Sequence, residues 1–298
     1  MSIVTILIPD FAMILLGVLL VRHTKWGDSF WAGLEKLVYF VLFPALLFYS
    51  TSRSPLDFVS AGKMLQVGLT ALLCAIALSW LAKRLFKAGP MVFESGMQTG
   101  FRFNSYIALA LAYRLGGDQA TSLMALIMGF SIPICNMAAV HALVRGSAGR
   151  GLFKELARNP LLIATASGIL FNAAGLQLPD VLGVTLARVG NASIALGLLL
   201  VGAGLRLTGL HQAKAMAVYF LVVKHLAYPA IGFLLGQWVG LSGLQLQIVV
   251  IFCALPTASS AYVLATRMGG NGPFVAFLVS ASTLLSALTL PFWLLATR

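Results

Sequence analysis

Apolar runs of about 20 residues, each long enough to cross a hydrocarbon core as a helix, follow one another along the whole chain. Short polar turns separate them, such as Thr24-Lys25-Trp26-Gly27-Asp28, Thr51-Ser52-Arg53-Ser54-Pro55 and Gly146-Ser147-Ala148-Gly149-Arg150-Gly151. The period-two alternation of barrel strands does not occur. The pattern predicts ten membrane-spanning helices, over roughly 3–21, 34–50, 63–83, 90–114, 120–142, 159–178, 188–207, 214–238, 244–267 and 273–296. The first run has no basic segment ahead of it and contains Asp10, so it reads as a retained helix and not as a cleaved signal.

Two runs contain polar, helix-weakening patches. They are Gly100-Phe101-Arg102-Phe103-Asn104-Ser105-Tyr106 in the fourth and Ala254-Leu255-Pro256-Thr257-Ala258-Ser259-Ser260 in the ninth. Ten residues past their central residues, Asn104 and Thr257, comes an Arg leading into a glycine pair: Tyr113-Arg114-Leu115-Gly116-Gly117 and Thr266-Arg267-Met268-Gly269-Gly270. The two motifs lie 153 residues apart, and Pro9 with Gly17 is matched by Pro160 with Gly168 at a spacing of 151. Five runs fall in each half. An odd number makes the second copy enter the membrane from the opposite face, the inverted-topology repeat of secondary transporters. The expected organisation is a first repeat over 1–142, a cytoplasmic connection over 143–158 and a second repeat over 159–298.

Composition agrees with a membrane protein: 60% of the 298 residues are hydrophobic and 9% charged, against about 25% charged in a soluble domain. The net charge of +12 does not point to nucleic acid, because most Lys and Arg sit at span ends, where they set topology. Thirteen of them, including Arg145, Arg150, Lys154 and Arg158, fall on one side and five on the other. This places the first group in the cytoplasm, both termini outside it, and the protein in a cell (inner or plasma) membrane. Trp26, Trp31, Trp80, Trp238 and Trp293 stand near span ends, as interface anchors do. Cys74, Cys135 and Cys253 are too widely spaced for a disulfide framework or a zinc site, and His141 and His225 are too isolated to ligate metal. No cofactor is expected. With no P-loop and no nucleophile–base pair, the chain reads as neither an enzyme nor a direct user of ATP.

The second run, Leu37-Val38-Tyr39-Phe40-Val41-Leu42-Phe43-Pro44-Ala45-Leu46-Leu47-Phe48, resembles the second span of the auxin efflux carrier family. So do Asn159-Pro160-Leu161-Leu162-Ile163-Ala164, continuing to Gly175-Leu176-Gln177-Leu178-Pro179, and Ala192-Ser193-Ile194-Ala195-Leu196-Gly197 through Leu205. The resemblance implies an all-α fold related to bile-acid symporters and sodium/proton antiporters. In that fold helices 1, 2, 6 and 7 form a scaffold, helices 3–5 and 8–10 a transport domain, and helices 4 and 9 are broken and cross. It implies a small organic anion as substrate, an elevator-type mechanism and a homodimer through the scaffold. A sodium-coupled bile-acid-type symporter is the alternative within transporters, and a channel or ligand-sensing receptor the alternative outside them. The short connection after Leu143 fits a bacterial-type member. One departure is Phe103, where plant members carry proline beside the asparagine.

Asn104 lies about 14 residues into its span, roughly 20 Å at about 1.5 Å per residue, and Pro256 at similar depth. Pro256 has no N–H and can break a helix. Two half-helices, roughly 105–115 and 258–268, are then expected to begin at mid-membrane with their positive ends facing one another, a field suited to a carboxylate. Asn104 and Thr257 read as N-caps, and Ser105, Ala258, Ser259 and Ser260 as lining the site. Arg102, at the same depth, either pairs with substrate or faces a structural partner such as Glu94 or a carbonyl end. Asn136 either lines the site or bonds a neighbouring helix. Lys224 is expected at a negative helix end near Leu255, standing where related symporters hold sodium. No membrane-embedded carboxylate falls at the crossover, which argues against a cation antiporter.

Overall fold

The computed structural model describes residues 3–53, 58–86, 89–143, 160–205 and 213–297. Among these residues every regular element is helical. In order they are α1 (Ile3–His23), α2 (Asp28–Arg53), α3 (Phe58–Leu85), α4 (Pro90–Gly96), α5 (Ser105–Leu143), α6 (Pro160–Ala173), α7 (Asp180–Ala203), α8 (Lys214–Trp238), α9 (Gly243–Ala254), α10 (Ser260–Arg267) and α11 (Gly272–Ala296). Six stretches are long and apolar enough to cross a membrane, and the apolar segments Ile163–Ala173 and Gly243–Ala254 are shorter. The protein is thus a multi-pass, all-α membrane protein.

The longest such stretch, Pro90–Leu143, has 54 residues. A straight helix of that length would rise about 80 Å, far beyond a hydrocarbon core of about 30 Å. The chain interrupts it twice, once at residues 101–104 and again at Gly116–Gly117. Gly117 has φ 55° and ψ −136°, a conformation that a residue with a Cβ avoids. In the second glycine pair it is Gly269 that takes positive φ, at 72°. Both pairs therefore end helical runs, as their composition suggests.

Elsewhere the boundaries move for local reasons. α6 stops at Ala173, short of the expected 178, because Gly175 turns into the left-handed region at φ 67°. α7 starts at Asp180 and not near 188: Pro179 caps it in extended conformation, and Asp180 puts an acid in the first turn, where the helix dipole favours it. The expected connection lies outside the described residues from 144 to 159, together with its basic residues, and so does Arg206.

The described residues fall into two compact units. One lies within Met1–Ala61, Tyr106–Gly129 and Phe153–Gly204, the other within Gly62–Ser105, Phe130–Leu152 and Leu205–Arg298. The first contains α1, α2, α6, α7 and the first part of α5. Its helices touch through glycine, since lipid gives helices no hydrophobic reason to associate and close van der Waals packing must do so. A Cβ on Gly17 would run into the Leu199 carbonyl oxygen, one on Gly202 into the Ile14 carbonyl, and one on Gly168 into the backbone and side chain of Phe48 and Thr51. Polar pairs add to this packing. Arg114 Nε meets Asp10 Oδ1 at 2.7 Å, Ser50 donates to Asp118 at 3.1 Å, and Asn172 Nδ2 donates to the Thr51 carbonyl at 3.1 Å.

The second unit contains α3, α4, the end of α5, and α8 to α11. α9 forms its centre: residues 248–255 are all at 0% exposure, as expected of a helix apolar on every side. α8 carries a π-helical turn at Val223–Ala227. Pro229, just beyond it, has no N–H for the carbonyl of His225 four residues earlier. The Trp293 indole donates to that carbonyl at 2.9 Å. Trp293 is accordingly buried and is no interface anchor, whereas Trp26 and Trp238 are exposed.

Gly202→Val should lower the melting temperature of the detergent-solubilised protein, through an overpacking cost of about 1–3 kcal/mol. Gly62→Ala, where a Cβ meets nothing within 4 Å, should leave it within the error of the measurement.

Candidate functional site

The two polar patches are where the helices stop. Leu255, forced toward extended backbone by the proline that follows, has φ −54° and ψ 141°. α9 accordingly ends at Ala254, and α10 resumes at Ser260. The first patch breaks without proline. After Gly96 the helix tightens into a 3₁₀ turn over Met97–Gly100. Gly100 packs where a Cβ would meet Ser79 Oγ, and residues 101–104 are non-helical before Ser105 opens α5.

The two interruptions are bonded to each other. The Asn104 amide donates to the Pro256 carbonyl at 2.8 Å. Thr257 Oγ1 donates to the Thr99 carbonyl at 2.7 Å, and the Phe103 ring lies edge-on to Phe252 at 4.7 Å between centroids. Buried backbone groups that a broken helix would orphan thus find partners in the other break. Asn104 precedes α5 directly, as a cap residue would. Thr257 does not cap: Ser259 occupies the N-cap position of α10, with no side-chain cap bond, and the threonine hydroxyl is committed to Thr99. The second half-helix starts two residues later than expected because residues 255–259 stay unwound.

Arg102 sits beside this junction, 6% exposed. Its guanidinium donates to Ser260 Oγ at 3.0 Å and to Asn136 Oδ1. The structure therefore gathers three of the expected residues, Arg102, Asn136 and Ser260, which come from the first interruption, the end of α5 and the first turn of α10. A fixed guanidinium next to a helix N-terminus makes a locally positive, hydroxyl- and amide-bearing surface. Among the described residues, Ser105, Ala258 and Ser259 lie along the interruptions without joining the Arg102 cluster.

Lys224 marks the other end of the second break. It is wholly buried, its Nζ 3.4 Å from the Cys253 carbonyl and 4.7 Å above the centre of the Tyr228 ring. The Cys253 carbonyl is one of the last of α9, where a cation is favoured, and the ring face adds a cation–π contact. Cys135 and Cys253 are free and buried. No group of three His, Cys, Asp or Glu among the described residues could hold a metal ion. His141 instead packs its ring on Trp80 at 5.9 Å.

Sequence reading missed Ser282 and the role of His225. Ser282 accepts from the Thr257 amide at 3.0 Å and lies 2.8 Å from His225 Nε2. The signal was present as a hydroxyl-rich stretch in the last span, Ser280, Ser282, Thr283, Ser286 and Thr289. Such hydroxyls usually bond back to their own helix, as Ser280, Thr283, Ser286 and Thr289 do, which hid the bonds that Ser282 and Thr289 make to His225.

A multi-pass helical protein whose broken helices collect an arginine, an asparagine and hydroxyls at one point has the build of a membrane transporter. Comparison with known proteins narrows this. Residues 147–294 match the family model described as membrane transport protein. An uncharacterized transporter of Methanothermobacter thermautotrophicus is 24% identical over 288 residues, covering 94% of each chain. A protein of Rhizobium meliloti named "Putative malonate transporter" is 24% identical over 299 residues, covering 95% of this chain and 92% of its own. These matches support a membrane transporter of the auxin efflux carrier type.

Asn136→Ala removes an acceptor of the buried guanidinium and should destabilise the protein by about 1–3 kcal/mol in a denaturation series. Asn136→Asp, which keeps the acceptor, should be milder.

Proposed function

We propose that the protein is a secondary transporter of a small organic anion, working by alternating access, with the anion held at the two helix interruptions. The observation that carries this reading is the junction itself: two unwound segments bonded through Asn104 and Pro256, with Arg102 joined to the first turn of α10 and to Asn136. A carboxylate suits that positive, amide-rich surface better than a cation or an apolar solute does. The Rhizobium relative's name speaks of malonate. A dicarboxylate is the class we favour, since Arg102 can take one carboxylate while the α10 amides face the other.

The proposed architecture is ten spans in two inverted repeats, with interrupted spans four and nine crossing. Besides the motif spacing, packing in the first unit supports it. Gly17 abuts the carbonyl of Leu199, and Gly168 abuts the carbonyl of Phe48. Both pairs of positions, 17 with 168 and 48 with 199, are 151 residues apart, so the contact of α1 with α7 is repeated by α6 with α2. In this reading helices 1, 2, 6 and 7 form a scaffold through which the protein dimerises. The other helices carry the anion in an elevator motion within a cell inner or plasma membrane, with both termini outside the cytoplasm.

Lys224 supports a sodium-independent mechanism. Its ammonium already occupies the negative end of α9, where a symporter of the sodium-coupled kind would bind its ion. Melting shifts of the purified protein against mono- and dicarboxylates, indole acids and bile acids, with and without sodium, test both readings. A sodium requirement would favour the bile-acid-type symporter, and the absence of saturable flux or counterflow in proteoliposomes would leave a channel or receptor.

Arg102→Gln should weaken anion binding about tenfold or more, the loss of a charge-assisted contact of about 1.5–3 kcal/mol. Thr257→Ala and Asn104→Ala should each weaken it as well. Normal transport by all three would refute the site. Lys224→Ala should abolish transport or make it cation-dependent, and unchanged cation-free uptake would remove the lysine from the mechanism.

A further inference from the structure

The amides of Asn104 and Thr257 stand 153 residues apart at matching points of the two interruptions, yet they are anchored differently. Asn104 N–H reaches the opposite break, at Pro256 O. Thr257 N–H turns to Ser282 Oγ on α11, 3.0 Å away. Ser282 lies 2.8 Å from His225 Nε2, and His225 Nδ1 lies 3.0 Å from Thr289 Oγ1. Thr289 itself donates to the Leu285 carbonyl at 3.3 Å.

The protons along this string can be assigned by elimination. With its own hydrogen on Leu285, Thr289 accepts, so Nδ1 of the imidazole carries the proton. Nε2 is then an acceptor and takes the Ser282 hydroxyl hydrogen, and the serine oxygen receives the Thr257 amide. A neutral ring in the other tautomer would cost Thr289 its carbonyl and leave the Ser282 hydrogen without an acceptor in the string. His225 is 3% exposed and sits in the π-turn of α8, its carbonyl held by Trp293. Two consecutive residues of that turn thereby serve one interruption, Lys224 at the carbonyl before it and His225, through Ser282, at the amide after Pro256. The positions 153 residues before Lys224, His225 and Ser282 are Ala71, Leu72 and Gly129, whose side chains can do neither.

We infer that His225 is a positioning residue: through the Ser282 hydroxyl it fixes Thr257, and with it the orientation of the Ala258 and Ser259 amides that lead into α10. The consequence for anion binding rests on the transporter reading above; the proton assignment does not.

The test uses the full chain in nanodiscs, labelled with ¹⁵N-histidine. Of the four histidines, the signal lost in His225→Gln identifies this one. At pH 7 it should show the neutral Nδ1–H pattern, and Ser282→Ala should move its Nε2 resonance. In parallel, malonate affinity should fall about tenfold in both His225→Leu and Ser282→Ala, the loss of about one hydrogen bond. His225→Gln, whose amide oxygen can accept from Ser282, should recover most of it. Trp293→Phe should lower the melting temperature without a comparable change in affinity. An imidazolium or Nε2–H tautomer at pH 7 overturns the proposal. So does wild-type affinity in His225→Leu when Arg102→Gln has lost it, or a failure of glutamine to restore binding. If malonate does not bind the unaltered protein, or binds Arg102→Gln equally well, the anion-site reading fails instead. The tautomer and its response to Ser282→Ala then decide the histidine's place.

Discussion

A helix that stops inside an apolar stretch leaves amides and carbonyls with no water to turn to, and everything else at the candidate site follows from how those groups are satisfied. Such interruptions persist only where protein or a cavity supplies partners. Here the first break supplies an amide to the second, through Asn104 and Pro256, and a carbonyl to it, through Thr99 and Thr257. Lys224 and Ser282 provide two more partners from α8 and α11. An interruption held from this many sides has one shape, and a site built on it is preorganised.

Much of this was legible in the chain. Pro256 announces its own break, since proline removes an amide and pushes the preceding residue out of the helix, and Leu255 has that backbone. Gly116–Gly117 and Gly269–Gly270 mark helix ends because glycine tolerates the left-handed turn. Arg102 and Ser260 stand out as polar positions in the two interrupted runs, and the family resemblance brings Asn136 to the same crossover. The bonds that join Arg102 to the other two were not legible, because they depend on tertiary placement of segments up to 158 residues apart. The capping role given to Thr257 failed for the same reason. A threonine before a helix is a good local cap, but a buried carbonyl across the junction, at Thr99, had a prior claim on its hydroxyl. Trp293 was misread as an interface residue because its sequence position lies near a span end, while the unsatisfied carbonyl created by Pro229 drew its indole inward.

The two halves also divide their labour in a way that motif spacing conceals. The first interruption holds Arg102, which reaches the first turn of α10 and the end of α5. The second holds no charge of its own and is served from α8, by a buried ammonium on one side and an imidazole-bound hydroxyl on the other. Replacing proline by Phe103 in the first patch is compatible with this division. That break is produced by a 3₁₀ turn and the tight approach at Gly100, and the position is free to pack an aromatic ring on Phe252.

The charge arrangement follows from the same economy of partners. A buried cation needs either an anion or a convergence of carbonyl and π density. Lys224 has the second kind of environment, so its charge is already answered and it has little left for a ligand. Arg102 donates to a serine hydroxyl and an asparagine oxygen, which fix the direction of the guanidinium beside the N-terminus of α10. The two buried cations thus differ in place: the lysine stands at the carbonyl end of α9, and the arginine where the amides of α10 begin, an end whose dipole favours an anion.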